Sequence, residues 1–291
     1  MSIKKFAKQI WKIGSRKESL YLKNGKIYLT LNSKTKIMDF YKNIIKYTIM
    51  NNIKIVADLI KQSRFAIAFT GAGISVESGI PPFTGAGGLW NKYDPKFIEL
   101  SFFYSNPKKS WEEMRKIFFN SMGQAKPNKA HEVLAKLERI GYLKAVITQN
   151  IDGLHQAAGS KKVIEFHGTI NELICIDCKT KYKTLDIDIS KDIPRCSCGG
   201  ILKPDFVFYG EGIGRKNYND SDLIANKTDL VIIVGTAGQV MPACYIPFTA
   251  QRSGAKIIEV NTLESSFTHQ ITDYFFPVKA TEFFTELEQF L

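Results

Sequence analysis

The run Phe65-Ala66-Ile67-Ala68-Phe69-Thr70-Gly71-Ala72-Gly73-Ile74-Ser75 decides the fold. Its five leading apolar residues, closed by glycine, predict a buried strand. The glycines that follow let backbone N–H groups approach an anion at a helix N-terminus, as in dinucleotide-binding turns. A tight strand-to-helix turn without a ligand is the plainer alternative, because Val76 stands where the usual fingerprint has its third glycine.

Working outward, Ile53, Val56, Ala57 and Ile60 mark one helical face ahead of this strand. Beyond it, Ala130, Val133, Leu134 and Leu137 repeat the helical spacing, Gly141 supplies a stop, and residues 145–148 give another short strand. Residues 230–234 and 257–260 are two further buried strands, with Gly254 as a helix C-cap between them. Alternation of this kind implies a mostly parallel sheet with helices on both faces, and ligands of such sheets bind at the carboxyl ends of the strands. After Ser75, Glu77-Ser78-Gly79-Ile80-Pro81 and then Phe83, Gly85, Gly88, Leu89 and Trp90 form a long glycine-punctuated loop suited to a flap over a ligand.

Residues 168–203 lack an apolar period and read as an insertion. Cys175-x2-Cys178, seventeen residues, then Cys196-x-Cys198 place four thiols in two tight pairs, the pattern of a closed tetrahedral structural zinc. The second pair is one residue shorter than usual, and Gly199 and Gly200 ease the turn. Cys244, alone in apolar surroundings, reads as a core residue. So few and so clustered cysteines fit a reducing, cytoplasmic setting.

The chain has 291 residues and a formal charge of +12. Residues 1–50 carry eleven lysines and Arg16 against Glu18 and Asp39, a net of +10, which leaves +2 for the other 241 residues. The charge therefore belongs to a basic N-terminal extension read as a solvated tail, and direct nucleic-acid binding by the remainder is disfavoured. Within the extension Ile3, Phe6, Ala7, Ile10 and Ile13 recur at helical spacing among lysines, a pattern shared by organelle-targeting, membrane-surface and partner-docking segments. No apolar run approaches the roughly 20 residues of a transmembrane helix.

Two polar groups fall at strand ends. Gln149, Asn150 and Asp152 follow the strand at 145–148, where either a ligand site or a turn-forming Asn-x-Asp-Gly fits. His167 follows a strand-like Val163-Ile164-Glu165-Phe166, and imidazole is the side chain best suited to accept a proton near neutral pH.

Four ordered blocks resemble the sirtuin family of NAD-dependent protein deacylases: GAGISVESGIPPFTGAGGLW from Gly71, Thr148-Gln149-Asn150-Ile151-Asp152-Gly153-Leu154-His155, Glu165-Phe166-His167-Gly168-Thr169, and Lys203-Pro204-Asp205-Phe206-Val207-Phe208-Tyr209-Gly210-Glu211. The resemblance runs from about residue 52 to the C-terminus and leaves residues 1–50 outside. It implies an α/β fold, a Rossmann-like, doubly wound, mostly parallel sheet formed by 51–167 and 204–291, with a zinc-binding module at 168–203. It further implies removal of acyl groups from protein lysines with release of nicotinamide and O-acyl-ADP-ribose. By the same resemblance His167 is the catalytic base, Asn150 orients a water and the ribose, and Asp152 helps to bind the nicotinamide end. NAD would be held by Gly71, Ala72, Gly73, Glu77, Pro81, Phe83, Thr84, Trp90, Gln149, Asn150, Asp152, Gly235, Thr236, Ala237, Asn261 and Ala280. The acyl-lysine peptide would lie on Val207, Phe208, Tyr209, Gly210 and Glu211, and zinc on Cys175, Cys178, Cys196 and Cys198.

The chain departs from the family pattern around Phe83, where Pro82 and Thr84 replace an acidic residue and an arginine, and at Ala237 and Gly238, where a serine and an aliphatic residue are usual. After Trp111, Met114 and Ile117 stand in place of the Tyr and Arg pair that holds acidic acyl groups in one branch, so acetyl or longer apolar acyl groups are expected. An ADP-ribosyltransferase or NAD glycohydrolase on the same site, or a non-catalytic NAD or ADP-ribose sensor, are the alternative readings.

Overall fold

The computed structural model describes the backbone of residues 19–23 and 26–30 and the chain from 51 to 291, with Thr84, Ala86 and the side chain of Ser121 excepted. The helical spacing of residues 3–13 lies outside the described residues. In the extension, β1 (Ser19–Lys23) and β2 (Lys26–Thr30) pair antiparallel, with Tyr21 opposite Tyr28 and Leu22 opposite Ile27. The reading of the extension as a solvated tail does not anticipate this hairpin. Its signal is in the sequence: Asn24-Gly25, the dipeptide favoured in two-residue hairpin connections, separates the apolar runs Leu20-Tyr21-Leu22 and Ile27-Tyr28-Leu29.

In residues 53–291, β3 (Ala66–Thr70), β4 (Leu143–Thr148) and β5 (Val163–Glu165) build outward in one direction. The chain then forms a three-stranded antiparallel sheet of β6 (Gly168–Cys175), β7 (Lys181–Lys183) and β8 (Leu202–Phe206). It returns as β9 (Leu230–Val234), β10 (Lys256–Val260) and β11 (Tyr274–Phe276) on the other side of β3. The large sheet has the order β11-β10-β9-β3-β4-β5, and every neighbouring pair is parallel. Direction of growth reverses between β3 and β9, so the carboxyl ends of those two strands flank the crevice where doubly wound sheets bind ligands.

Residues 53–62 are helical, as the spacing predicts, and Ile53, Val56, Ala57 and Ile60 are buried. The helix Lys129–Arg139 begins at Asn128, whose side chain accepts from Ala130 N–H, and ends before Gly141 at φ +85°. One apolar core joins Phe69, Ile147, Val231 and Ile257 of the sheet to Ala250 and Phe267. A second core joins Leu173, Leu202 and Phe206 of the small sheet to Phe97, Phe103, Trp111 and Phe118 from the short helices between β3 and β4. Among the described residues no helix is long and apolar enough to cross a membrane.

Candidate active site and thiol cluster

The ends of β3 and β9 meet backbone to backbone. Gly71 N–H donates to Val234 O at 2.9 Å and Gly73 N–H to Gly235 O at 2.8 Å. A Cβ on Gly73 would stand 2.5 Å from Gly235 Cα, and one on Gly235 2.4 Å from Ile74 N, so both turns require glycine. After the turn, Ala72–Ser78 forms a 3-10 helix instead of the expected α-helical N-terminus. The cause is local competition: Ile74 O, an acceptor an α-helix would use, takes Asn128 Nδ2 at 2.7 Å, and Ser75 turns inward.

Ser75, fully buried, donates to Asp152 Oδ2 at 2.7 Å and accepts from Asn150 Nδ2 at 3.1 Å. Thus the first turn and the loop after β4 share one polar cluster. Asp152 also accepts Leu154 N–H at 3.0 Å, so the turn-forming role and the site role coexist. Burial pushes the Asp152 carboxyl above its ordinary range, against the hydrogen bonds it accepts. Asn150 Oδ1 is buried without a protein partner among the described residues, an acceptor left for a donor from outside the chain. Gln149 Nε2 donates to Thr236 Oγ1 at 3.0 Å, tying this loop to the strand end of β9.

His167, just beyond β5, donates from Nδ1 to Gln149 O at 3.0 Å, because a carbonyl only accepts. Its Nε2 is therefore the bare, basic nitrogen. Burial lowers its pKa from the ordinary imidazole value, opposed by the Gln149 hydrogen bond, so the ring is neutral at pH 7. Val207 N–H donates to His167 O at 2.8 Å, and Tyr209 pairs with residues 98–100 through its N–H to Ile98 O at 2.9 Å and its O to Leu100 N–H at 3.0 Å. The segment after β8 is thereby sewn beside the imidazole. Within it Tyr209 and Gly210 are exposed and Val207 half-buried, whereas Phe208 is buried against Phe206 and Phe103. Glu211 faces the protein, where its Oε2 accepts from Phe208 N–H at 2.7 Å and Lys203 Nζ at 2.9 Å.

Asn261 Nδ2 reaches Thr236 O at 3.1 Å, and Ala237 O accepts Ser266 N–H, which brings Gly235, Thr236, Ala237 and Asn261 together. Gly238 has a physical reason: a Cβ there would lie 2.6 Å from the buried Phe267 ring and 2.3 Å from Ser266 Oγ. Phe83 and Trp90 pack ring to ring at 5.4 Å, and Leu89 N–H and Trp90 N–H close the loop onto Pro82 O and Phe83 O. Pro81 is half-buried, and Thr84 lies outside the described residues. Glu77 is not brought into the polar cluster. Its carboxylate accepts from Thr281 N–H at 3.1 Å and Thr281 Oγ1 at 2.7 Å, capping the helix Ala280–Glu288, while Ala280 is buried.

In the segment after Trp111, Met114 and Ile117 are buried in the second core, as an apolar pocket wall requires. The neighbouring Arg115 sends its guanidinium to Ile189 O and Asp192 O. That cation is committed to the small sheet's loop.

The four thiols converge, with every Sγ within 4.8 Å of the others. The pairs Cys175–Cys198, Cys178–Cys196 and Cys178–Cys198 stand at 3.6, 3.5 and 3.5 Å. Sulfurs 2.3 Å from a tetrahedral zinc lie about 3.8 Å apart, so the donor set fits that ion in type and spacing. The short second pair closes because Gly199 takes φ +90° and Gly200 passes so near that a Cβ would meet Cys175 Sγ at 2.7 Å.

Four groups in or beside the site carry no signal of their own in the sequence: Ser75, Thr70, Thr148 and Lys203. Each is a polar residue whose role depends on a partner distant in the chain, apart from Lys203, whose charge eight residues before Glu211 is readable only once the strand is known.

The Sir2 family signature matches residues 71–242. The chain is 45% identical over 234 residues to the NAD-dependent protein deacylase of Pyrococcus abyssi, covering 78% of this chain and 93% of that one. It is 45% identical over 227 residues to the NAD-dependent protein deacetylase of Saccharolobus solfataricus, covering 75% and 89%. Among solved structures, a Sir2 complex with a p53 peptide and NAD+ superposes with a TM-score of 0.75 at 38% identity, over 81% of this chain and 97% of the other. A Sir2 bound to acetylated peptide gives the same TM-score, identity and coverage.

Proposed function

The chain belongs to the Sir2 family, and from that membership we infer that it removes acyl groups from protein lysines at the expense of NAD, releasing nicotinamide and O-acyl-ADP-ribose. The observation that carries the reading is His167 just beyond β5, its Nε2 bare and its Nδ1 held by the O of Gln149, the residue that precedes the Asn150 and Asp152 cluster.

NAD, when bound, supplies the ribosyl carbon to which the acyl oxygen adds as nicotinamide departs. The glycine turns at Gly71–Gly73 and Gly235 offer the backbone approach that the pyrophosphate needs. Asn150 Oδ1 accepts a hydrogen bond in the ribose region, and Asp152, held by Ser75, faces the nicotinamide end. His167 Nε2 accepts the proton of a ribose hydroxyl, and the donated Nδ1 hydrogen bond to Gln149 O fixes the ring for that task. The acyl-lysine segment pairs alongside Val207 and Tyr209, with Glu211 shaping that strand from behind.

The pocket wall at Met114 and Ile117 is apolar and Arg115 is engaged elsewhere, which favours acetyl and longer apolar acyl groups over succinyl or malonyl. Cys175, Cys178, Cys196 and Cys198 hold a structural zinc, since four protein ligands leave no open position. Residues 168–203, with β8 continuing past them, form the zinc module. The free thiols support a cytoplasmic setting, and the net charge of only +2 outside residues 1–50 disfavours direct nucleic-acid binding by the catalytic part.

The test is mass spectrometry of NAD products with and without an acetyl-lysine peptide. O-acetyl-ADP-ribose that appears only with peptide is the expected result. Free ADP-ribose or ADP-ribosylated protein without peptide dependence would replace this reading with a glycohydrolase or an ADP-ribosyltransferase.

A further inference from the structure

Behind the proposed active site two histidines are buried together. His131 is 0% and His155 1% exposed, and their rings meet edge to face with centroids 4.9 Å apart. Neither takes part in the proposed deacylation chemistry. We infer that His131 and His155 are a neutral imidazole pair that acts as a positioning device for the Asn150 loop.

Hydrogen-bond direction assigns the tautomer of His155. Asn150 N–H donates to Thr148 Oγ1 at 3.1 Å, and Thr70 Oγ1 donates to Thr148 Oγ1 at 2.9 Å. With its proton so used, Thr70 Oγ1 accepts from His155 Nε2–H at 2.9 Å. His155 Nδ1 is then a bare acceptor. At the other ring, His131 Nδ1 takes Asn128 N–H at 3.3 Å within the helix cap when its proton is on Nε2, and faces Asn128 Oδ1 at 3.1 Å, which would accept from the other tautomer. His155 Nδ1 and His131 Nε2 are both buried without a partner among the described residues. The rings are joined by their edge-to-face contact, with no hydrogen bond between them.

The chain of contacts runs from the cap of the helix Lys129–Arg139 through both rings to Thr70 at the end of β3 and Thr148 at the end of β4. It finishes on the backbone of Asn150. Its far end also touches the glycine turn, because Asn128 Nδ2 holds Ile74 O at 2.7 Å and Ser78 Oγ at 3.0 Å. The glycine turn and the Asn150 loop are thus tied together through one buried line.

The line needs neutral rings. A proton added to His155 Nδ1 places a charge on a ring that is 1% exposed, at a nitrogen that has no acceptor among the described residues. The surroundings offer no compensation: β3 and β4 present the Thr70 and Thr148 hydroxyls, and the nearby Asp152 carboxylate is committed to Ser75 and Leu154 N–H. On the helix, Lys129 pairs with Glu288 and Glu132 is exposed.

The inference rests on Asn150 belonging to the proposed active site, and its tests separate the two. Replacement His155→Phe should lower kcat roughly tenfold to a hundredfold, through a displaced Asn150, with a smaller change in KM for NAD. Replacement His155→Gln, which retains a donor at the Nε2 position, should stay within about threefold of the parent. Thr148→Val, isosteric but without the acceptor for Asn150 N–H, should also lower kcat. Parental kcat in a folded His155→Phe protein overturns the proposal. Should that variant not fold, parental kcat in Thr148→Val does so instead. Independently of activity, 15N spectra of the parent should show both rings neutral and His155 protonated on Nε2 at pH 7, and a proton on His155 Nδ1 overturns the assignment. A parent inactive on acetyl-lysine peptide with this 15N pattern would defeat the functional reading and not the pair.

Discussion

In β3 and β9 of the large sheet every residue is buried, whereas β7 of the small sheet has no buried residue and β6 is buried at only half of its positions. The large sheet is therefore held by continuous apolar contact on both faces, each fully buried Ile, Val or Phe contributing about 1.5–3 kcal/mol before entropy is counted. The small sheet packs on the second core, which includes Cys175 and Cys196, while Cys178 and Cys198 complete the thiol cluster from the exposed side. One is a scaffold that tolerates chemistry at its strand ends. The other carries the thiol cluster proposed to hold zinc, and it leads through β8 to the segment whose Val207 N–H meets His167 O.

The strongest way to break this contrast is to remove the metal. Zinc analysis should find one ion per chain, and chelation should melt the small sheet while the parallel sheet keeps its circular dichroism, because metal binding supplies roughly 10 kcal/mol to such modules. Activity should vanish with it, since Val207 N–H is anchored on His167 O and its strand would be lost. An active, zinc-free protein would show that thiol contacts alone hold the module.

The second prediction attacks the strand-end chemistry without the scaffold. His167→Ala should lower deacylation about a hundredfold to ten-thousandfold. Its thermal midpoint should stay within a few degrees, because the partly exposed ring contributes a proton acceptor and little core volume. A large loss of stability with little loss of turnover would make His167 a packing residue and leave the base unassigned.

Legibility follows the same divide. The strands of the large sheet are readable because fully buried strands are runs of Ile, Val, Phe and Ala, and residues 230–234 match β9 end to end. Glycine turns are readable because only glycine fits them. Ser75 and the His131 and His155 pair are not, since a single polar residue in an apolar stretch says nothing of a partner distant in sequence. Glu77 shows the opposite case: its place in a familiar block implies NAD, while the contact the structure gives its carboxylate, to Thr281 in the C-terminal helix, has no signal in the sequence. The hairpin at Ser19–Lys23 and Lys26–Thr30 is legible from Asn24-Gly25, but the dense lysines of the extension mask its two apolar runs.

A third prediction sharpens the contrast through pH. Burial holds His131 down at about 4 and His155 well below the ordinary imidazole value, His131 adding to the latter. The unfolded chain binds these protons near pH 6.5 and the native one refuses them, so stability is full above about 6.5 and falls as pH drops from 6.5 toward 4. The slope should approach about 1.4 kcal/mol per pH unit for each ring, roughly 3 kcal/mol from His131 alone across the window. Thermal midpoints measured from pH 7 to 4.5 should fall more steeply for the parent than for His155→Gln. Equal slopes would mean that the rings take up protons in the native state.

The smallest effect is expected where the two regions join. Lys203, 7% exposed at its side chain, donates to Phe206 O at 2.7 Å and Glu211 Oε2 at 2.9 Å, and sits 4.0 Å over the Phe208 ring. Burial lowers its pKa, and Glu211 opposes that shift. Glu211→Gln keeps a carbonyl for Phe208 N–H but weakens the charge-assisted bond to Lys203, a change of about 1 kcal/mol. Because the bond shapes the segment beside which the peptide is proposed to lie, the loss should appear as a peptide KM raised about fivefold. KM for NAD and kcat should hold, since Gln149, Asn150 and the glycine turns draw nothing from this ion pair. If NAD and peptide KM rise together, Glu211 supports the whole cleft and not the substrate strand alone. If neither moves, the hydrogen bonds of Val207 and Tyr209 to His167 and Ile98 suffice to hold the strand in place.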